Sequence, residues 1–348
     1  MHMADALISP AVGGTMWAVT AGLIGYSAKK VKEEADDRKV PLMGVLGAFI
    51  FAAQMINFTI PATGSSGHLG GGMILSILLG PYAAFLVMAS VLTVQALFFA
   101  DGGLLALGCN IFNLGFFSCF VAYPLIYRKI AGEKLTQGKV AAGSMVAAIV
   151  ALQLGAFGVV LETVMSGISE LPFHMFVLLM QPIHLAIGIV EGLVTAAVVS
   201  FVWKARPEIL NSAVNSHPLG KIDIKKVLLG LALAAALTGG ALSWFASTHP
   251  DGLEWAMFKT SGKEELESRD RIHTSLAGVQ QKTAFLPGYG FKKSESEAAQ
   301  KESDQAASWP AVDSGTTVSG LVGGALTLFI VVLIGFGLKH CTSRKSYS

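Results

Sequence analysis

Residues 69–100 read LGGGMILSILLGPYAAFLVMASVLTVQALFFA, and the number of times this stretch crosses a bilayer decides the fold. Its first part, 69–80, is shorter than the ~20 residues an upright crossing takes. It is a tilted or re-entrant piece, or the first half of one long helix running to residue 100. Gly80-Pro81 favours a break, because proline removes a backbone donor and its ring clashes with the preceding turn. Flanking charge then fixes the count. Basic clusters occur at 29–39 (Lys29, Lys30, Lys32, Arg38, Lys39), at 128–139 (Arg128, Lys129, Lys134, Lys139), at 204–226 (Lys204, Arg206, Lys221, Lys225, Lys226) and at the end (Lys339, Arg344, Lys345). Cytoplasmic loops carry the excess of Lys and Arg. All four clusters fall on one side only if residues 69–100 cross twice.

Outward from this stretch, apolar runs predict further helices near 11–28, 42–57, 104–127, 140–165, 176–203, 227–246 and 318–338. The expectation is an all-α polytopic bundle of nine crossings, with the N-terminus outside and the C-terminus inside. Composition agrees: 53% of the 348 residues are hydrophobic and 14% charged, against about 25% charged in soluble domains. The net charge of +2 gives no reason to expect nucleic acid as a partner. Three cysteines without paired or CxxC spacing (Cys109, Cys119, Cys341) read as packing residues or a free thiol rather than as a disulfide framework or a zinc site. Residues 251–317 are polar and rich in Ser, Glu and Lys, and read as a large external loop.

The chain opens MHMADALISP (1–10). A histidine at position 2 offers three nitrogens from one short segment: the Met1 α-amine, the His2 amide and the His2 ring Nδ1. They close a five- and a six-membered chelate ring around one ion. Deprotonating the amide requires a metal that rewards planar nitrogen donors, as Ni(II) and Cu(II) do, whereas Zn(II) prefers a tetrahedron. One planar position stays open. The segment PATGSSGHLGGG (61–72) lies on the same external side, and its glycines allow close backbone approach, so His68 can complete an N4 set. Met1 is expected to be retained, since His2 is too bulky for methionine removal. The alternative is a frayed terminus with His68 capping a helix; two histidines alone leave both readings open.

Other polar residues have weaker claims. Asp101, Asn110 and Asn113 follow an external turn and can order the metal loops, as can Ser65 and Ser66; turn chemistry or hydrogen bonding across helices accounts for them equally. His184 and Glu191 share a helix face two turns apart, about 10 Å, too far to ligate one ion together. An intramembrane metalloenzyme using them would be a different class of protein, but no H-E-x-x-H pair supports it. A metal sensor is the third class. Gly44, Ala48 and Ala52 form a small-residue row on the second helix, suited to close helix packing either within the chain or against a partner.

Four segments resemble one family: MHMADALISP, PATGSSGHLGGG, LTVQALFFADGGLLALGCNIFNLG (92–115) and HLAIGIVEGLVTAAVV (184–199). They are similar to the NikM/CbiM substrate-binding components of energy-coupling factor transporters for nickel and cobalt, over residues 1 to about 205. HPDGLEWA (249–256) resembles the PDGLE signature of the small NikN/CbiN partner, two helices joined by an extracytoplasmic loop. The resemblance implies a fusion: a metal-binding component over 1–210 and a two-helix region over 221–348 with its loop near 247–317. It implies Ni(II) as cargo, with Co(II) as alternative, held by Met1, His2 and His68. Cobalt-type members open Met-His-Ile-Pro-Asp-Gly, whereas this chain has Met3-Ala4, which leans toward nickel. The resemblance also implies docking of Gly44, Ala48 and Ala52 on a scaffold transmembrane T-component, separate ATPase subunits, and a prokaryotic cytoplasmic membrane. The chain has no G-x-x-x-x-G-K-[ST] phosphate loop, so ATP hydrolysis falls to partners and the chain is a transporter subunit, not an enzyme.

Overall fold

The computed structural model describes residues 2–343 except 35, 37, 133, 169–170, 216, 221, 263–269 and 293–308. Met1, Lys221, Arg344 and Lys345 lie outside the described residues. A 3-10 turn at Asp5–Leu7 leads into α1 (Pro10–Glu34) and α2 (Lys39–Gln54). A hairpin of β1 (Phe58–Ile60) and β2 (Ser65–Gly67) follows, then α3 (Gly72–Leu79) and α4 (Pro81–Phe99). Next come α5 (Leu107–Ala131), α6 (Gln137–Ser166), α7 (Phe173–Ala205) and α8 (Pro207–Asn215). The last third holds α9 (Lys225–Gly240), α10 (Gly252–Ser261), α11 (Arg271–Thr283) and α12 (Ser314–Ser343).

Among the described residues, five helices are long and apolar enough to cross a bilayer: α4, α5, α6, α7 and α12 through Lys339. The protein is therefore a multi-pass membrane protein. Three of the other expected crossings are helices of different character. The 16 residues of α2 and of α9 rise about 24 Å at 1.5 Å each, short of a ~30 Å hydrocarbon core. α1 has 25 residues but carries glycine, serine and threonine along its length.

The 69–100 stretch breaks where its sequence says. Gly80 adopts φ 77°, and Pro81 opens α4 at a position whose missing donor costs nothing. α3 has only eight residues, all buried. Gly80 at its far end lies beside the Ala213 carbonyl and the Lys39 ammonium, so the extended 65–71 segment and the half-helix together run from the loop end of the bundle to the basic end. Lys32, Lys39 and Lys339 line one crevice at that basic end, and the Arg206 guanidinium donates to the Asp223 carbonyl there.

Glycine sets the seams. A Cβ at Gly44 would lie 2.7 Å from Val332, one at Gly323 2.0 Å from Phe51, and one at Gly239 3.0 Å from the Gly320 backbone. α12 thus packs flush against α2 on one side and α9 on the other. The row Gly44, Ala48 and Ala52 is buried, with Val332 and Leu328 of α12 against Gly44 and Ala48 against Gly324. The docking surface expected there is already occupied by this chain's own last helix, because the fused second half brings a small-residue partner with it.

Candidate metal site

At the loop end, the turn Asp101-Gly102-Gly103 forms a seat for residues 2–5. Gly102 takes φ 82°, and a Cβ there would lie 2.9 Å from the Asn110 amide and 3.4 Å from His2. Asn110 grips the Met3 backbone from both sides: Met3 N–H donates to Oδ1 (2.8 Å) and Nδ2 donates to the Met3 carbonyl (3.2 Å). Gly103 N–H donates to that same carbonyl at 2.9 Å. Asp5 accepts from Ala106 N–H at 2.9 Å. These bonds tie Met3 and Asp5 to the 103–110 segment.

The hairpin delivers His68. Its register, Phe58↔Gly67 to Ile60↔Ser65, ends where the chain turns extended toward α3. Beyond His68, the carboxylate of Glu191 on α7 accepts Gly70 N–H (2.7 Å) and Gly71 N–H (3.1 Å). Gln54 donates to the Gly70 carbonyl at 2.7 Å, and Gln95 donates to Gln54 at 2.9 Å. The amides that open the half-helix thus meet a carboxylate rather than lipid, as buried backbone groups require.

Sixty-six positions apart in sequence, the His2 and His68 rings stack, with centroids 4.8 Å apart and planes at 22°. His68 Nδ1–H donates to the Leu69 carbonyl (3.0 Å), which leaves the lone pair on Nε2. Burial above all pushes the His68 imidazole down to about 3, so it is neutral and competent to ligate at neutral pH. His2 Nδ1 meets Asp101 Oδ1 at 2.9 Å, and its buried Nε2 has no partner among the described residues. Burial alone would raise the Asp101 carboxyl; the His2 ring, with the Tyr289 hydroxyl, holds it well below the carboxylate range. Near-parallel planes keep the two rings' nitrogens from meeting on one ion in this conformation, because each lone pair lies in its own ring plane. Among the described residues no group of three His, Cys, Asp or Glu side chains is arranged to hold a metal.

The last third of the chain closes over this site. Ser66 pairs with Asp251 as a third, parallel strand position; its N–H donates to the Pro250 carbonyl (2.8 Å) and its hydroxyl to that of His249 (2.8 Å). Asp251 and Glu254 form a capping box at the start of α10. Burial raises the Asp251 carboxyl, but the charges and donors around it outweigh this and bring it to about 2. Asp251 and Glu254, with His2, Asp5, Asp101 and His273, line an open cleft of about 520 Å³.

The other expected residues fall outside the pair. Asn113 donates to Glu162 at 2.6 Å, a bond between α5 and α6. Ser65 bonds Thr63 within the hairpin turn (2.7 Å). His184 Nδ1–H donates to the Met180 carbonyl (2.8 Å); its buried Nε2 has no partner. The void shared by His184, His68 and Asp251 measures about 10 Å³, room for about one water and not for a hydrated cation.

This layout matches a known one. The family profile described as "Cobalt uptake substrate-specific transmembrane region", CbiM, matches residues 2–209. The chain belongs to the CbiM family. A PDGLE domain profile matches residues 225–340. A protein of Archaeoglobus fulgidus assigned as a fused nickel transport protein NikMN is 36% identical over 210 residues, 60% of this chain and 68% of that one. The cobalt transport protein CbiM of Geobacter sulfurreducens is 28% identical over 220 residues, 60% and 61% of the two chains. The crystal structure of a truncated transition metal transporter superposes with TM-score 0.53 at 32% identity, over 59% of this chain and 99% of that one.

Three residues at the site were not legible in the sequence: His273, Gln280 and Tyr289. All come from the polar loop, whose composition gives no period. The one available signal was LPGYG (286–290), a turn built to present an aromatic residue.

Proposed function

We propose that the chain is the substrate-capture component of an ATP-driven energy-coupling factor importer for Ni(II). It takes the ion at the external face through the Met1 amine, the His2 amide, His2 Nδ1 and His68 Nε2. The observation that carries this reading is the juxtaposition of the His2 and His68 rings, 4.8 Å apart, at the mouth of an acidic cleft. In the structure Nδ1 is the nitrogen that faces Asp101; capture turns and shifts the His2 ring so that Nδ1 closes the six-membered chelate and Nε2–H faces the carboxylate instead. The carboxylate then orients the ligating imidazole from its far side, the usual arrangement around protein-bound metals. Capture also tilts the two rings out of their stack so that both point at one ion.

A planar nitrogen set disfavours Zn(II) by geometry and accepts Cu(II) more tightly still, so selectivity in the cell rests on availability and on the transport step. Co(II) is the second reading, favoured by the cobalt-transport name of the Geobacter relative. The basic clusters at 29–39, 128–139 and 204–226, with Lys339, support a cytoplasmic placement for that end, with the metal site outside and nine crossings counted with α1, α2, α9 and the 69–80 descent. Residues 1–210 form the capture component and 221–348 the fused partner, in a prokaryotic cytoplasmic membrane. A scaffold T-component and separate ATPases complete the importer.

The test is accumulation of radioactive Ni(II) in cells carrying the chain with a scaffold subunit and ATPase pair. Uptake that disappears when the ATPase phosphate-loop lysines are replaced supports the importer; uptake unchanged by that replacement contradicts it.

A further inference from the structure

We propose that Tyr289, from the loop of the second half, is a positioning residue of the metal site, acting on His2 through Asp101. The inference deepens the Ni(II) reading above and rests on it.

Asp101 uses both of its oxygens. Oδ1 faces the His2 ring at 2.9 Å, and Oδ2 accepts the Tyr289 hydroxyl. A carboxylate that accepts one fixed hydroxyl loses its rotational freedom, and the ring bonded to its other oxygen is fixed in turn. Tyr289 is itself held on all sides. Its ring stacks on Phe99 with centroids 5.2 Å apart and meets Phe51 edge-on at 6.2 Å. Its backbone sits at φ 60°, next to Gly288 at 59°. Tyrosine rarely adopts that region, and residues held there cluster where surrounding structure over-determines them for a purpose.

The segment that carries Tyr289 is pinned at three further points, all on the metal-binding half. His273 Nε2–H lies 2.9 Å from both the Asp5 and the Ile8 carbonyls, just beyond His2. The Gln280 amide donates to the Ala96 and Gly102 carbonyls at 2.8 Å each, on either side of Asp101. Leu286 N–H donates to the Phe98 carbonyl. The loop therefore grips both strands of chain that form the His2 seat, and its Tyr289 hydroxyl lands on the carboxylate that faces His2. Packing alone would be served equally by phenylalanine.

The test is calorimetric Ni(II) titration of the full-length protein with its native N-terminus, comparing wild type, His2→Ala, Tyr289→Phe, Asp101→Asn and the Tyr289→Phe/Asp101→Asn double variant. Tyr289→Phe keeps the ring stack and the backbone, and detergent melting curves check that it folds. The expected result is about tenfold weaker Ni(II) binding in Tyr289→Phe, the size typical when an outer partner of a metal ligand is lost, with no further loss when Asp101 is already Asn. Wild-type affinity in Tyr289→Phe, or equal losses in both backgrounds, overturns the relay and leaves the metal site standing. A wild type that does not bind Ni(II), or binds it equally after His2→Ala, overturns the metal-site reading and the relay with it. If Tyr289→Phe melts early, the coupling in the double-variant cycle still decides, because a general loss of stability has no reason to vanish with Asp101→Asn.

Discussion

At His68 the surroundings decide the charge of the ring. Its imidazole is pushed from 6.5 to about 3 by burial, so the unfolded chain binds a proton that the folded one refuses between those values. Stability then rises with pH across that window. It is fully present above pH 6.5 and is lost as pH falls toward 3. The prediction is a melting temperature that declines on acidification through this range, with a shallower slope in His68→Gln; equal slopes would contradict the neutral buried ring. The Asp101 carboxyl, held below its usual 3.8, adds a loss that begins as pH falls below about 4 and continues downward. The sequence paired His2 with His68 by chelate chemistry that left a frayed terminus equally open, and the family resemblance then favoured the pair; the structure brings the two rings into a stack. The His2–Asp101 contact was not legible in the sequence, since Asp101-Gly102-Gly103 is equally a plain turn and only the fold shows what sits on it.

Among the elements, the half-helix α3 and its glycine approach depend on Glu191. Its carboxylate holds two buried amides, Gly70 and Gly71. Each buried donor left without a partner costs about 1–3 kcal/mol. Glu191→Ala should therefore abolish hydrogen-exchange protection at Gly70 and Gly71 and weaken Ni(II) binding at His68, while Glu191→Gln, which keeps one acceptor, loses less. Unchanged protection in Glu191→Ala would contradict the capping role. Sequence placed His184 and Glu191 on one helix face, too far apart to ligate one ion together; the structure spends Glu191 on backbone amides, a use that no side-chain spacing encodes. The seam between α12 and α2 makes a second test. Gly323 has no room for a Cβ, with Phe51 2.0 Å away, and overpacking a close seam typically costs about 1–3 kcal/mol. Gly323→Leu should lower the melting temperature in detergent, whereas Gly337, with open space around it, should accept Ala without effect.

At the scale of the whole molecule, hydropathy read the long spans well and the short ones poorly. α4, α6 and α7 stand where their apolar runs lie, because lipid exposure demands an unbroken apolar surface. The 69–80 piece is too short for hydropathy alone, and flanking charge led to counting it; it is a half-helix behind extended backbone, tolerated at depth only where protein surrounds it. The sequence placed a large external loop at 251–317 but not its contacts, since the described part, 271–292, takes its place from bonds to residues 5–8 and 96–102 and not from any period of its own. What the two parts of the chain share is one cleft: residues 1–103 bring His2, His68 and Asp101, and the later residues bring Asp251 beside Ser66 and Tyr289 beside Asp101. The central claim, that the N-terminus itself is the ligand, is tested most directly by calorimetric Ni(II) titration of the native chain beside a variant with one alanine inserted between Met1 and His2. The insertion keeps every side chain but enlarges the chelate, so that no planar position is left for His68. Tight one-to-one binding in the native protein, lost or made independent of His68 by the insertion, is the predicted result. Equal, His68-dependent affinity in both would contradict it.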